Sequence, residues 1–365
     1  MFPSHDRGKG HLLLEPQRSN LLTQSEYFGD SYWVKRDVSI TSNSAVSPSG
    51  LTNAAKLTED ATNAEHKINS DIITSVGGDR YTESFFAKSA ERNWVYLEHE
   101  GAPLAWFDLS NGTIGTTSAS YNSSASIKDY GNGWYRCIVS YDANDLTSRA
   151  YIGVANADAV KTYLGDGSSG VYIYGGQLEE GTYPTSYIPT NGTAVTRLGE
   201  TCNNATQSYP SEGVLYAEIA ALANDGTYRE IAISDGTSSN RIEIRYTTSN
   251  NQIQFIVRNA GTALFLPLYS LDDALEFNKF AIRYKNDDFS AWVNGVQVAT
   301  GTSGTAPSGL NELAFDDGTG TNNFYGKSKM VATFPYLSND EMECLTGEGY
   351  GTFEALAAAY SYTII

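Results

Sequence analysis

Apolar residues recur at every second position along most of this chain, and that period constrains its fold more than any other feature. In Arg241-Ile-Glu-Ile-Arg-Tyr246, the side chains of Ile242, Ile244 and Tyr246 share one side and those of Arg241, Glu243 and Arg245 the other. That is the spacing of a strand and not of a helix. Gln252–Arg258 and Lys279–Lys285 alternate in the same way, so each is expected to bury one face and keep the other wet. Phe289–Val293, Asn294-Gly295 and Val296–Val298 predict a β-hairpin, because Asn-Gly supplies the two positive-φ residues of a type I′ turn. In the first half, strands are expected at Tyr81–Lys88, Asn93–His99, Leu104–Leu109, Gly133–Tyr141, Arg149–Val154 and Gly170–Leu178. Turn signals at Asn111-Gly112, Gly131-Asn-Gly133 and Gly165-Asp-Gly167 punctuate them. Helix is expected only near the end. There Ser338-Asn-Asp-Glu341 forms a capping-box pattern, and Thr352 could cap a short helix over Phe353–Tyr360.

Composition agrees with an all-β fold: 25 Tyr, 34 Gly and only 18% charged residues suit twisted antiparallel sheets with polar loops. At roughly 150 residues per domain, 365 residues make two. The prolines and Asn-Gly of Tyr183-Pro-Thr-Ser-Tyr-Ile-Pro-Thr-Asn-Gly192 interrupt ladder pairing, placing the boundary near 190–212, with Tyr183–Ile188 packed back on the first domain. The expectation is therefore two antiparallel β-sandwich (jelly-roll) domains in tandem, with short helices near the C-terminus.

Charge and motifs exclude several functions. Forty-two acidic against 24 basic residues leave a formal charge of −18, which disfavours nucleic acid phosphates and anionic lipid. No apolar run reaches the ~18–20 residues that would insert in a membrane, and the polar MFPSHDRGKG has no apolar segment of an export signal behind it. Three distant cysteines, Cys137, Cys202 and Cys344, make neither a disulfide framework nor a four-thiolate zinc site alone. The four histidines, His5, His11, His66 and His99, lie in no HExxH or Cys/His cluster, and there is no Gly-x-Ser-x-Gly elbow. Gly165-Asp-Gly-Ser-Ser-Gly170 lacks a Walker lysine and precedes a strand, so it reads as a hairpin loop. Glu98 and Glu100, two apart, form the best carboxylate pair; a solvated outer face opposite Val95, Leu97 and His99 accounts for them without chemistry.

Three long phrases carry a resemblance. Leu12-Leu-Leu-Glu-Pro-Gln-Arg-Ser-Asn-Leu-Leu22, Gly131-Asn-Gly-Trp-Tyr-Arg-Cys-Ile-Val139 and the run from Gly165 to Gly181, followed by Tyr183–Pro189 and Val195-Thr-Arg197, occur in that order. About half the chain thereby resembles a carbohydrate-binding-type jelly-roll module of tailed-phage tail fibres, tail spikes and head fibres. The second half resembles a concanavalin A-like or laminin-G-like sandwich through Trp292-Val-Asn-Gly-Val-Gln-Val298 and Tyr336–Met342. The expected organisation is a leader over 1–11, the jelly roll over 12–198, a linker over 199–211 and the second sandwich over 212–365.

The resemblance implies a non-enzymatic virion structural protein: a tail fibre, head fibre or capsid decoration, assembled in the host cytoplasm, that acts as an adhesin for a host-surface glycan. Its other partners would be virion proteins and further copies of itself, phage fibres commonly being trimers. The alternatives are a secreted carbohydrate-active enzyme or its binding module, and an assembly adaptor without a glycan ligand. Concanavalin A-like glycosidases carry a Glu-x-Asp-x-x-Glu strand, and none occurs here. Asp316-Asp-Gly-Thr-Gly-Thr-Asn322 and Asn286-Asp-Asp288 offer oxygen ligands of the kind Ca²⁺ takes in loops of both sandwich families, although neither has EF-hand spacing and turn chemistry also explains them. Sugar binding on a sandwich uses aromatic rings flanked by polar side chains. Trp106 beside Asp108, Tyr96 beside Trp94, and Trp292 are the candidates, whereas Trp134 reads as core.

Overall fold

The computed structural model describes residues 10–99, 101–144, 147–205 and 207–347. They form two compact units, Gln17–Leu198 and residues 10–16 together with 199–347. All strand ladders are antiparallel, and among the described residues no helix is long and apolar enough to cross a membrane.

The first unit is a sandwich of two six-stranded sheets. Sheet A runs in the order Thr113–Thr117, Ala102–Asp108, Trp94–His99, Tyr151–Ala155, Lys67–Asn69 and Val34–Arg36. Sheet B runs Ser124–Gly131, Trp134–Asp142, Arg80–Ser89, Gly170–Glu180, Thr52–Glu59 and Val38–Val46. Alternation sends Val95, Leu97, Phe107 and Ile152 of sheet A and Phe85, Cys137, Val139 and Ile173 of sheet B into a shared core closed by Phe28 and Trp33. The other face of sheet B is covered as well. The 182–190 segment lies on it as expected, with Thr185 donating N–H and Oγ1–H to Glu179 at 2.8 and 2.7 Å and Ile188 N–H donating to Gln177 at 2.7 Å. Trp134 is buried there with Phe86, Tyr174 and Tyr187.

In the second unit, sheet C runs Leu12–Leu14, Gly326–Phe334, Gly213–Ala221, Asn278–Lys285, Asp288–Val293 and Val296–Gly301. Sheet D runs Asn203–Ala205, Glu312–Ala314, Arg229–Ser234, Arg241–Tyr246 and Gln252–Asn259, with Thr262–Phe265 and Leu268–Ser270 both pairing with the last. Leu215, Ile219, Ile231, Ile244, Phe255, Phe280 and Phe289 fill the space between these sheets. The hairpin turn has Asn294 and Gly295 at φ 48° and 85°, as its sequence predicts. Ser338 and Glu341 close a reciprocal capping box on the helix Asn339–Thr346. The second expected helix, Phe353–Tyr360, lies outside the described residues.

Three placements depart from expectation. The phrase Leu12–Leu22 is divided: Leu12–Leu14 adds an edge strand to sheet C, whereas Arg18–Asn20 pairs with Val195–Arg197 in the first unit. The stretch 199–211 contributes the Asn203–Ala205 strand and the buried Tyr209 to the second unit. Finally, the faces carrying Glu98 and carrying Arg241 and Glu243, expected to stay wet, are buried under loops. An alternating strand shows which side chains share a face but not whether a distant segment folds over it.

Candidate functional site

The candidates of the first unit converge on the outer face of sheet A. Because Val95 and Leu97 enter the core, Trp94, Tyr96 and Glu98 project from the opposite face. The register sets Tyr96 between Trp106 and Gly153, and Trp94 between Asp108 and Ala155. Gly153 is essential to this packing, since a Cβ there would stand 2.2 Å from Tyr96 Cζ. The Tyr96 and Trp106 rings lie 6.0 Å apart at 37°, with Trp94 against them.

These rings are covered, which strand alternation alone does not show. Tyr96 is 0% and Trp106 6% exposed. Yet Tyr96 Oη and Trp106 Nε1 have no hydrogen-bond partner among the described residues. Burial, and secondarily the charges of Glu98 and Glu65, push the Tyr96 hydroxyl far above its ordinary pKa, so it remains a donor. Asp108, 8% exposed, is committed to its own turn, accepting Ser110 N–H at 2.9 Å, Ser110 Oγ–H at 2.6 Å and Asn111 Nδ2–H at 2.7 Å. Burial opposes its charge, but these hydrogen bonds outweigh it and hold the carboxyl below the usual range.

The cover is the segment 156–161, which leaves the Tyr151–Ala155 strand and reaches Thr116. Since two strands of sheet A separate those positions, the segment crosses the face carrying Trp94 and Trp106. Asp158 accepts Thr116 N–H at 2.7 Å and Thr116 Oγ1–H at 2.9 Å, both exposed contacts. Gly115 makes room, because a Cβ there would meet Asp158 Oδ1 at 2.3 Å and Trp94 Cζ3 at 2.6 Å. Lys161 then reaches Gly101 O at 2.9 Å, Glu98 at 2.7 Å and Glu65 at 3.2 Å. Lys67 bridges the same two carboxylates. Glu98 is thus a buried member of a four-charge ring and not a solvated carboxylate; Glu100 lies outside the described residues.

Trp292 belongs elsewhere. It faces away from Phe289, Ala291 and Val293 as its alternation predicts, but lies 4% exposed beneath the helix Asn339–Thr346, with Tyr216, Met342 and Leu345. Its Nε1–H donates to Ser290 Oγ at 3.0 Å. It is packed neither between the sheets nor as an open platform.

The acidic loops are also occupied by protein contacts. Asp317 accepts from Thr319 and Thr321 and pairs with Arg241 at 3.4 Å; Asn286 and Asp287 accept Ala306 N–H and Gly304 N–H, and Asp288 pairs with Arg283. Among the described residues no group of three or more His, Cys, Asp or Glu could hold a metal ion. The 316–322 loop covers the charged face of sheet D, where Asn322 donates to Glu230 at 3.1 Å and Arg241 pairs with Glu243 at 3.0 Å. Burial and the adjacent Glu230 charge push the Glu243 carboxyl up to about 8.

No family model matches the chain, and no curated protein matches it. Among solved structures it is similar to sheep galectin-11 in complex with glycerol, at 8% identity and a TM-score of 0.28 over 38% of this chain and all of that one. It is also similar to the CBM40 of Ruminococcus gnavus IT-sialidase bound to α2,6 sialyllactose, at 14% identity and a TM-score of 0.30 over 40% of this chain and 98% of that one. A third is domains LG4-5 of the mouse laminin α1 chain, at 10% identity and a TM-score of 0.30 over 75% and 86% of the two chains. Likeness at these scores carries no argument about ligand, and the sandwich architecture rests on the strand pairing itself.

Proposed function

We propose that this chain is a non-enzymatic glycan-binding protein whose first unit receives a saccharide on the outer face of sheet A, beneath the 156–161 segment. One observation carries the reading: Tyr96 Oη and Trp106 Nε1 are buried donors without partners among the described residues, set on adjacent aromatic rings. A buried polar group left unsatisfied costs about 1–3 kcal/mol, so such a pair calls for a ligand. A pyranose supplies both an apolar ring face for the aromatic surface and hydroxyl oxygens for the donors. The cover is held on Thr116 by exposed hydrogen bonds of Asp158, which are worth little against water, and at its other end by Lys161 on Glu98 and Glu65.

The setting of this activity follows the sequence resemblance: a fibre, head fibre or decoration of a phage particle, trimeric, folded in the host cytoplasm and displayed to a host-surface glycan. The ordered phrases between Leu12 and Arg197 support that assignment.

Glycan-array and whole-cell binding of the wild type, Tyr96→Phe and Trp106→Phe test the reading. The wild type should bind, and each substitution should weaken binding about three- to tenfold by removing one donor. Binding to no glycan and no host cell, or binding indifferent to both substitutions, would refute it. Immunogold electron microscopy of particles tests the virion setting, and absence of label on them would remove it.

A further inference from the structure

The second unit contains an open cleft that none of the features above use. It lies at the end of three adjacent strands of sheet C, where Gly213 is paired with Tyr284 and Val214 with Phe334. Its volume is about 310 Å³, enough for one or two sugar rings. Tyr209 and Tyr284 line it with rings only 5% and 1% exposed, and neither hydroxyl makes a hydrogen bond with a described residue. Both tyrosines belong to the core between sheets C and D. At Gly213, beside these residues, a Cβ would stand 2.7 Å from Phe334 O and 3.2 Å from Tyr284 Oη.

The walls are apolar and the rim is charged. Pro210, Phe334 and Tyr336 present flat apolar surface. Tyr336 is held in one orientation, donating its hydroxyl to Asp288 at 2.7 Å with Lys285 and Arg283 4.7 and 5.0 Å from its ring centroid. Glu212, half exposed and 3.2 Å from Lys285, places a carboxylate acceptor at the edge.

We infer that this cleft is a saccharide-binding site, distinct from the face of sheet A and built on the Tyr209 and Tyr284 hydroxyls, the Phe334 and Pro210 surfaces and the Glu212 carboxylate. The choice of ligand follows from the polar groups. A proline-rich peptide would suit the aromatic and proline walls and could accept from the tyrosines, but it has few donors for Glu212. A sugar hydroxyl both donates and accepts, so one ring can satisfy the tyrosines and the carboxylate while its C–H face covers Phe334. The protein would then hold glycan through both units, and two weak sites on one chain reinforce each other against a polymeric surface. The inference shares with the reading above the class of ligand but no residue.

The test is saturation-transfer NMR and calorimetry on the full chain with methyl glycosides of glucose, galactose, N-acetylglucosamine and rhamnose, and with a decaproline peptide as competitor. Tyr209→Phe and Tyr284→Phe keep the buried rings and remove only the hydroxyls; Tyr336→Ala, at an exposed position, keeps the test alive if either of those unfolds. At least one glycoside should bind, weakened about three- to tenfold by each hydroxyl deletion and lost in Tyr336→Ala, with Tyr96→Phe leaving this binding unchanged. Glycoside binding that responds only to Tyr96→Phe would overturn the cleft while leaving the sheet A site standing. Binding of none of the glycosides, or displacement of a bound glycoside by decaproline, would equally overturn it.

Discussion

Tyr96 lies against Gly153, with its Cζ only 2.2 Å from where a Cβ on that glycine would sit. The aromatic surface of sheet A therefore depends on a residue with no side chain, one strand away in the sheet. Gly153→Ala should drive the Tyr96 ring off Trp106. The expected result is a loss of about 1–3 kcal/mol in the denaturant-induced transition of the first unit, together with loss of glycan binding. An unchanged transition would show that the ring has room to move.

Tyr96→Phe should act in the opposite sense on stability. Its hydroxyl is buried without a partner among the described residues, so removing it relieves a desolvation cost of about 1–3 kcal/mol. We expect the first unit of this variant to be as stable as the wild type or more so in urea, while it binds glycan more weakly. That split separates a ligand-directed hydroxyl from one that supports the fold.

Asp158→Ala should free the part of the 156–161 segment that meets Thr116 without unfolding the sandwich, because its bonds to Thr116 are exposed while Lys161 keeps its hold on Glu98. Hydrogen exchange at Thr116 and along 156–161 should accelerate, with stability changed by less than about 1 kcal/mol. Protection unchanged at Thr116 would mean that other contacts hold the segment.

Glu83 is buried in the first unit, accepting Tyr151 N–H at 2.9 Å, and burial holds its carboxyl well above the usual range. A group raised in the folded state contributes stability that is complete below its unfolded pKa and is lost as pH rises through the folded one. Stability of the first unit should therefore fall with rising pH from about 4.5 upward, at up to about 1.4 kcal/mol per pH unit for this group. Urea titrations of wild type and Glu83→Gln should diverge with increasing pH, the variant being favoured at the alkaline end. Parallel pH profiles would exclude Glu83 as the source.

Glu243 should give the second unit a similar slope, lost by about pH 8. Its carboxyl sits beside Glu230, and these two and Asp317 face the guanidinium groups of Arg241 and Arg245. Three carboxylates against two cations favour uptake of one proton. Glu243→Gln should flatten the decline in second-unit stability between about pH 5 and 8, read by urea titration at each pH. A decline of undiminished slope would place the proton elsewhere.

Much of the architecture was legible from local pattern. The expected Tyr81–Lys88, Asn93–His99 and Gly170–Leu178 strands appear as Arg80–Ser89, Trp94–His99 and Gly170–Glu180, and the Asn294-Gly295 turn and Ser338 cap form as their chemistry requires. Each is decided within a few neighbouring residues, through side-chain alternation, positive φ or a hydrogen bond three residues away. The edge strand Leu12–Leu14 was not legible as part of sheet C, because three apolar residues fit the edge of either unit.

The same division holds for the candidate sites. Period two alone put Tyr96 on one face with Trp94, put Trp106 on one face with Asp108, and set Trp292 opposite Phe289 and Val293. Strand register decided that Tyr96 would meet Trp106 and Gly153, and the return of residues 156–161 decided that both rings would be covered. Helix docking buried Trp292, and the meeting of Tyr209, Tyr284 and Phe334 opened the cleft. Side-chain direction is a property of the local backbone, whereas exposure depends on segments tens of residues away, whose arrival is fixed only when the whole chain packs.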